Sequence, residues 1–206
     1  MRLAGFLLCL AALAAAPVRA EMLPQLYDVA GVTAGDVLNI RAAPQASAAI
    51  IGTLAPDAQG VEVVAQNASG TWGQINTGET AGWVNLRYLE ARGVHIDNYN
   101  LPVGLSCYGT EPFWSLSNIN GALQYEAMDG PAKALDIWIA QDSGIAGDLR
   151  RMILMAGLGG PATAFLYPAA CTDGMSDRAF GLAISLMTAP DAPMLSGCCS
   201  LTEQRR

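Results

Sequence analysis

Apolar and polar residues alternate in short bursts along this chain, and turn-forming residues end each burst before a helical period develops. Val37-Leu38-Asn39-Ile40-Arg41 alternates and stops at Ala43-Pro44. Ala49-Ile50-Ile51-Gly52-Thr53-Leu54 stops at Pro56-Asp57, and Val61-Glu62-Val63-Val64 at Asn67-Ala68-Ser69-Gly70. Trp72-Gly73-Gln74-Ile75 and Gly82-Trp83-Val84 flank Gly78-Glu79. Period two with these breaks predicts five short strands over residues 27–90, the spacing of a small barrel. Pro44 has no amide to donate and forces the turn there.

Residues 91–103, with Gly93, Asn98 and Pro102, read as a linker. Alternation then resumes over 104–206. Leu123, Tyr125 and Ala127 share a face; Leu135, Ile137 and Ile139 oppose Asp136 and Trp138. Met152, Leu154 and Ala156 oppose Ile153 and Met155, and Leu182, Ile184 and Leu186 oppose Ala183 and Ser185. Gly121, Gly130-Pro131, Gly144, Gly147 and Gly159-Gly160-Pro161 punctuate them. About eight antiparallel strands are expected, forming a barrel or sandwich, so the fold class is all-β. Leu149–Leu158 has a helix as its alternative reading.

The first twenty residues differ. Arg2 precedes an apolar run from Gly5 to Ala15, and Pro17-Val18-Arg19-Ala20 ends on a small residue before Glu21. That is the pattern of a cleavable signal peptide, cut after Ala20, and it places the protein in the periplasm or secreted. Cys9 follows Leu7-Leu8 inside the run, which is not a lipobox. No later stretch is long and apolar enough to span a bilayer, so no membrane span is expected after cleavage.

Charge narrows the partners. The chain has 11 basic and 18 acidic residues. Cleavage removes Arg2 and Arg19 and no acids, leaving 9 against 18, a formal −9. Lys133 is the lone lysine, and the basic pairs are Arg150-Arg151 and Arg205-Arg206. Without clustered cations, nucleic acid is excluded as a partner.

Four cysteines would remain: Cys107, Cys171, Cys198 and Cys199. In an oxidising compartment an even count reads as disulfides. With His95 the sole histidine and no CxxC pair, no metal site and no cofactor is expected. Cys198 and Cys199 are adjacent, so on a strand they point to opposite faces. Cys107–Cys199 and Cys171–Cys198 is the expected pairing, tying first strand to last; the alternative exchanges the partners of Cys198 and Cys199.

Leu38-Asn39-Ile40-Arg41-Ala42-Ala43-Pro44 resembles the signature of bacterial SH3-like (SH3b) domains. Ile51-Gly52-Thr53-Leu54, Trp72-Gly73-Gln74-Ile75 and Gly82-Trp83-Val84 through Tyr88-Leu89 follow in that family's order. The resemblance implies a small barrel that binds cell-wall or other envelope ligands, with a protein partner as the other possibility. Family members that hydrolyse cell wall carry a separate catalytic domain with Cys and His, which is missing here. Arg41, Trp72 and Trp83 are the candidate ligand residues there. Arg41 reads equally as a solvated strand residue or a partner of Asp36, and the tryptophans as core.

In the second region, Cys107-Tyr108-Gly109-Thr110-Glu111-Pro112-Phe113-Trp114, Cys171-Thr172-Asp173-Gly174-Met175-Ser176-Asp177 and Gly197-Cys198-Cys199 resemble an uncharacterised bacterial envelope family with the motifs "G[TN]EPFW … C.DGMSD … GC". The resemblance implies no activity. Trp114 is a further candidate ligand residue. Glu111, expected to be partly buried beside Pro112-Phe113-Trp114, is a candidate acid/base partner for Asp173 or Asp177 in an envelope hydrolase. Each of these also has a plain structural reading as a core or turn residue. The reading favoured is a non-enzymatic binding protein.

Overall fold

The computed structural model describes residues 22–119 and 121–202; the expected signal peptide, Cys9, the expected start at Glu21 and Arg205-Arg206 lie outside the described residues. Almost every element is a strand. The N-terminal half contains β1 (Gln25–Val29), β2 (Leu38–Arg41), β3 (Ile50–Leu54), β4 (Val61–Val63), β5 (Ala65–Gln66), β6 (Trp72–Thr77), β7 (Thr80–Asn85) and β8 (Leu89–Ala91). They form two antiparallel sheets, β4-β1-β8 and β3-β2-β7-β6-β5. Tyr27, Val29, Leu38, Ile40, Val63, Ile75 and Val84 fill the space between them. The five strands expected from alternation are all present. The pattern did not announce β1 and β8, which form a second sheet with β4, or the short β5, which extends the other sheet beside β6.

The C-terminal half is a closed eight-stranded barrel. Its strands are β9 (Leu105–Thr110), β10 (Phe113–Ile119), β11 (Ala122–Ala127), β12 (Lys133–Gln141), β13 (Arg151–Ala156), β14 (Pro161–Cys171), β15 (Phe180–Met187) and β16 (Leu195–Leu201). Each pairs antiparallel with the next, and β16 returns to β9 in the register Cys199↔Cys107. Closure leaves no open edge. Leu116, Leu123, Ile153, Met155, Leu166, Leu182, Ile184 and Leu186 point inward and fill the interior. The barrel is therefore a packed core.

One alternative reading falls and one expectation needs correction. Residues 149–158 contain β13, not a helix, with Arg151, Ile153 and Met155 on the buried face. Arg151 tolerates that position because its guanidinium donates to the carbonyls of Asn100, Asp148 and Arg150. Ile139 does not share the inward face of Leu135 and Ile137. A register shift between Ile137 and Ile139 turns Ile139 outward beside exposed Trp138, and Ala140 packs on the core instead.

Residues 92–104 pack closely. Leu101 is fully buried in the barrel cluster. Asp97 accepts from the amides of Tyr99 and Leu101, and the buried Asn118 side chain donates to Asp97 and to the Pro102 carbonyl. The two halves also share a wall. On β1, Leu26 joins the barrel core, whereas Tyr27 and Val29 join the N-terminal core, as period-two alternation allows when both faces of a strand are covered.

A second seam joins the β6–β7 hairpin to the β14–β15 connection. Thr80 bridges Asp177 in parallel, the Asp177 amide donates to the Glu79 carbonyl at 3.0 Å, and the Ala81 amide to the Asp177 carbonyl at 3.0 Å. The Asn76 side chain exchanges two hydrogen bonds with the Ala179 backbone, at 2.8 and 2.9 Å. Glu62 accepts from the Leu201 amide at 2.8 Å.

Candidate functional site

The β2–β7 register places Arg41 directly opposite Trp83, and Trp83 opposite Gln74 on β6. Side chains of cross-strand partners lie on one face. The other face of these strands carries Ile40, Ile75 and Val84, which are buried in the core. Arg41, Trp83 and Gln74 therefore form a row on the outer face, continued by exposed Ile50, the partner of Arg41 on β3. Trp83 is half-buried, not core as one reading of the sequence had it. The Arg41 guanidinium donates to the Ala48 carbonyl at 2.7 Å, which aims the side chain along the β2–β3 loop. Asp36 is not its partner; that carboxylate accepts from the Val37 amide.

Trp72 shares the outer-face parity of Gln74 but is buried, and it lies outside both apolar clusters. A flat indole beside a guanidinium, with an amide at one side and an aliphatic chain at the other, suits a ligand that offers both apolar faces and polar edges. Trp114 is not part of this row. It is buried in the barrel, stacked with Tyr125 at 6.2 Å between centroids. Glycine at 109 and 197 makes room for its ring: a Cβ at Gly109 would come within 2.0 Å of Nε1, and one at Gly197 within 2.9 Å of Cζ2.

The acidic candidates separate into different roles. Asp173 Oδ1 accepts from the amides of Met175 and Ser176, and Oδ2 from the Ser176 hydroxyl at 2.8 Å. These bonds hold its carboxyl below the usual range. Asp177 contributes its backbone to the seam with Thr80. Glu111 is exposed, contrary to the partial burial expected, and follows Thr110 at the β9–β10 turn, where the peptide to Pro112 is cis. Phe113 is exposed and Trp114 takes the inward position. Glu111 and Asp173 do line one cleft of about 560 Å³. Both oxygens of Asp173 already accept hydrogen bonds from its own turn, whereas Glu111 is exposed.

Cys107 bonds Cys199 and Cys171 bonds Cys198. Cys107 and Cys199 belong to the barrel core; the neighbouring Cys198 ties β16 to the end of β14. The adjacent cysteines thus serve opposite faces of their strand.

Sequence reasoning missed three residues at the seam. Asn76 holds Ala179. Glu62 is raised to about 8 because burial penalises its charge; the Leu201 amide and the nearby Arg178 act against that. Arg178 lies over the Phe180 ring at 5.2 Å. A glutamate inside the Val61–Val64 alternation was a signal only of an outward strand position, and nothing in the sequence showed that a second barrel would cover it.

Residues 36–90 match the family model of the bacterial SH3 domain. That segment spans β2 to β8 without Ala91, so it includes the Arg41–Trp83 row. Neither the curated proteins nor the solved structures contain a match to the chain.

Proposed function

We propose that this is an exported envelope protein that acts by binding, with the outer face of β2, β7 and β6 docking to a cell-wall component. The observation that carries the reading is the registered Arg41–Trp83 pair on a bacterial SH3 domain, a family whose members are typically cell-wall binding modules. A half-buried tryptophan next to an anchored guanidinium is the composition of an interaction hot spot. Two disulfides in one chain fit an oxidising compartment, and no helix among the described residues is long and apolar enough to cross a membrane. The signal-peptide pattern of residues 1–20 supports a place in the periplasm or outside the cell.

Co-sedimentation of the purified protein with isolated peptidoglycan sacculi tests the reading. Wild type is expected in the pellet. Trp83→Ala is expected to weaken binding about ten-fold or more, and Arg41→Ala less. A wild-type protein that stays in the supernatant would remove the ligand class. Unchanged binding by a folded Trp83→Ala variant would remove the site.

A further inference from the structure

Among the described residues, two buried side-chain nitrogens have no hydrogen-bond partner, Trp114 Nε1 and Arg178 Nε, and both residues line one cleft. The cleft has a volume of about 380 Å³ and runs between the β9–β10 hairpin, the end of β11 and the β14–β15 connection. Its apolar walls are Tyr108, Phe113, Trp114, Met128 and Phe180. Three of them, Tyr108, Phe113 and Met128, are exposed despite their size. Exposed aromatic and thioether surface gathered around a concavity marks ligand sites, and this volume falls at the small-molecule end of the range.

Arg178 is the cation of the cleft, and no hydrogen bond ties its guanidinium to a described residue. Two carboxyl groups stand near it without a hydrogen bond to it: burial raises Glu62 to about 8, and Asp173, an ionised carboxylate whose oxygens accept from Met175 and Ser176, attracts the guanidinium only through space. A guanidinium over an aromatic ring with unfilled donors matches the two oxygens of a carboxylate. Glu126 and Asp173, also in the lining, disfavour any second negative charge.

We propose that this cleft binds an amphipathic monocarboxylate, with its apolar body against the aromatic walls and its carboxylate on Arg178. The site is separate from the Arg41–Trp83 row and does not depend on cell-wall binding.

Titration calorimetry with decanoate and 4-phenylbutyrate, each against its neutral amide, tests the proposal on the whole protein. At least one acid is expected to bind with a Kd of roughly 100 µM, at least ten-fold tighter than its amide. Arg178→Gln is expected to abolish that preference, and Phe113→Ala to weaken acid and amide alike. Circular dichroism confirms that each variant is folded. If Arg178→Gln does not fold, the acid-to-amide ratio of wild type and the Phe113→Ala result decide. Equal binding of acid and amide to wild type, a retained preference in folded Arg178→Gln, unchanged affinity in Phe113→Ala, or no binding of either acid at millimolar concentration would overturn it.

Discussion

Glu62 gives this protein a pH dependence opposite in sign to that of an ordinary surface carboxylate. Its Oε1 accepts from the Leu201 amide at the seam between the N-terminal sheets and β16, and burial raises its pKa from the ordinary 4.5 to about 8. The folded state therefore binds a proton that the unfolded chain releases. The stability contributed is fully present below about pH 4.5 and is lost as pH rises from there through about 8. The ceiling on that loss is about 5 kcal/mol. Glu62 as a residue is only partly covered, and some hydration of its charged form remains, so about half the ceiling, roughly 2–3 kcal/mol, is the working figure. Glu62→Gln retains a neutral acceptor for Leu201 and removes the titration. Urea unfolding of both forms at pH 5, 7 and 9 reads the difference. The variant is expected to lie within about 1 kcal/mol of wild type at pH 5 and to be more stable by roughly 2–3 kcal/mol at pH 9. Parallel pH profiles, or a variant destabilised equally at every pH, would refute the assignment of the proton to this seam.

Asp148 predicts the usual acid limb. It is buried with the Arg150 guanidinium and the Ser143 hydroxyl on its carboxylate, which hold its pKa far below the ordinary 3.8. Its contribution is present above that value and is lost as pH falls below it. Asp148→Asn should cost about 1–3 kcal/mol at neutral pH and flatten acid unfolding followed by circular dichroism. Gly109→Ala drives a methyl against the Trp114 indole and should cost about 1–3 kcal/mol, seen as a lower urea midpoint and altered near-ultraviolet dichroism. Replacing Cys107 and Cys199 together by serine should lower stability by about 2–4 kcal/mol in urea, since the bond closes a long loop across the barrel seam. Unchanged midpoints would show that strand pairing alone holds that seam.

Much of the architecture was legible because alternation reports which face of a strand is buried. Leu182, Ile184 and Leu186 read correctly for that reason, and the adjacent Cys198 and Cys199 could be assigned opposite faces before any coordinates. The pattern failed where an added residue breaks the period, as at Ile139, and where a strand is covered on both sides, as at Leu26 and Tyr27. Those depend on a register shift and on a neighbouring barrel, neither of which a local window contains. The candidate site was legible in part. Arg41 and Trp83 are far apart in sequence yet cross-strand partners, and only the β2–β7 register shows that they meet. Asp173 and Asp177 attracted attention as acids, but the first shapes a turn and the second acts through its peptide group. Glu62, whose acidity burial perturbs, and Arg178, whose buried Nε lacks a partner, are singled out by what packs over them.

The Cys107–Cys199 bond makes the chain between them a ring. β9 and β16 are joined both by backbone pairing and by a covalent link spanning 92 positions. A single cut in any hairpin inside that span opens the ring without dividing the molecule. The pieces stay attached through sulfur, and every strand keeps its two neighbours. Clipping at an exposed turn, such as the one around Asp129-Gly130, would thus leave one particle of unchanged mass apart from an added water. The damage would register only after reduction. Release of a fragment then takes a second cut within the same stretch between bonded cysteines.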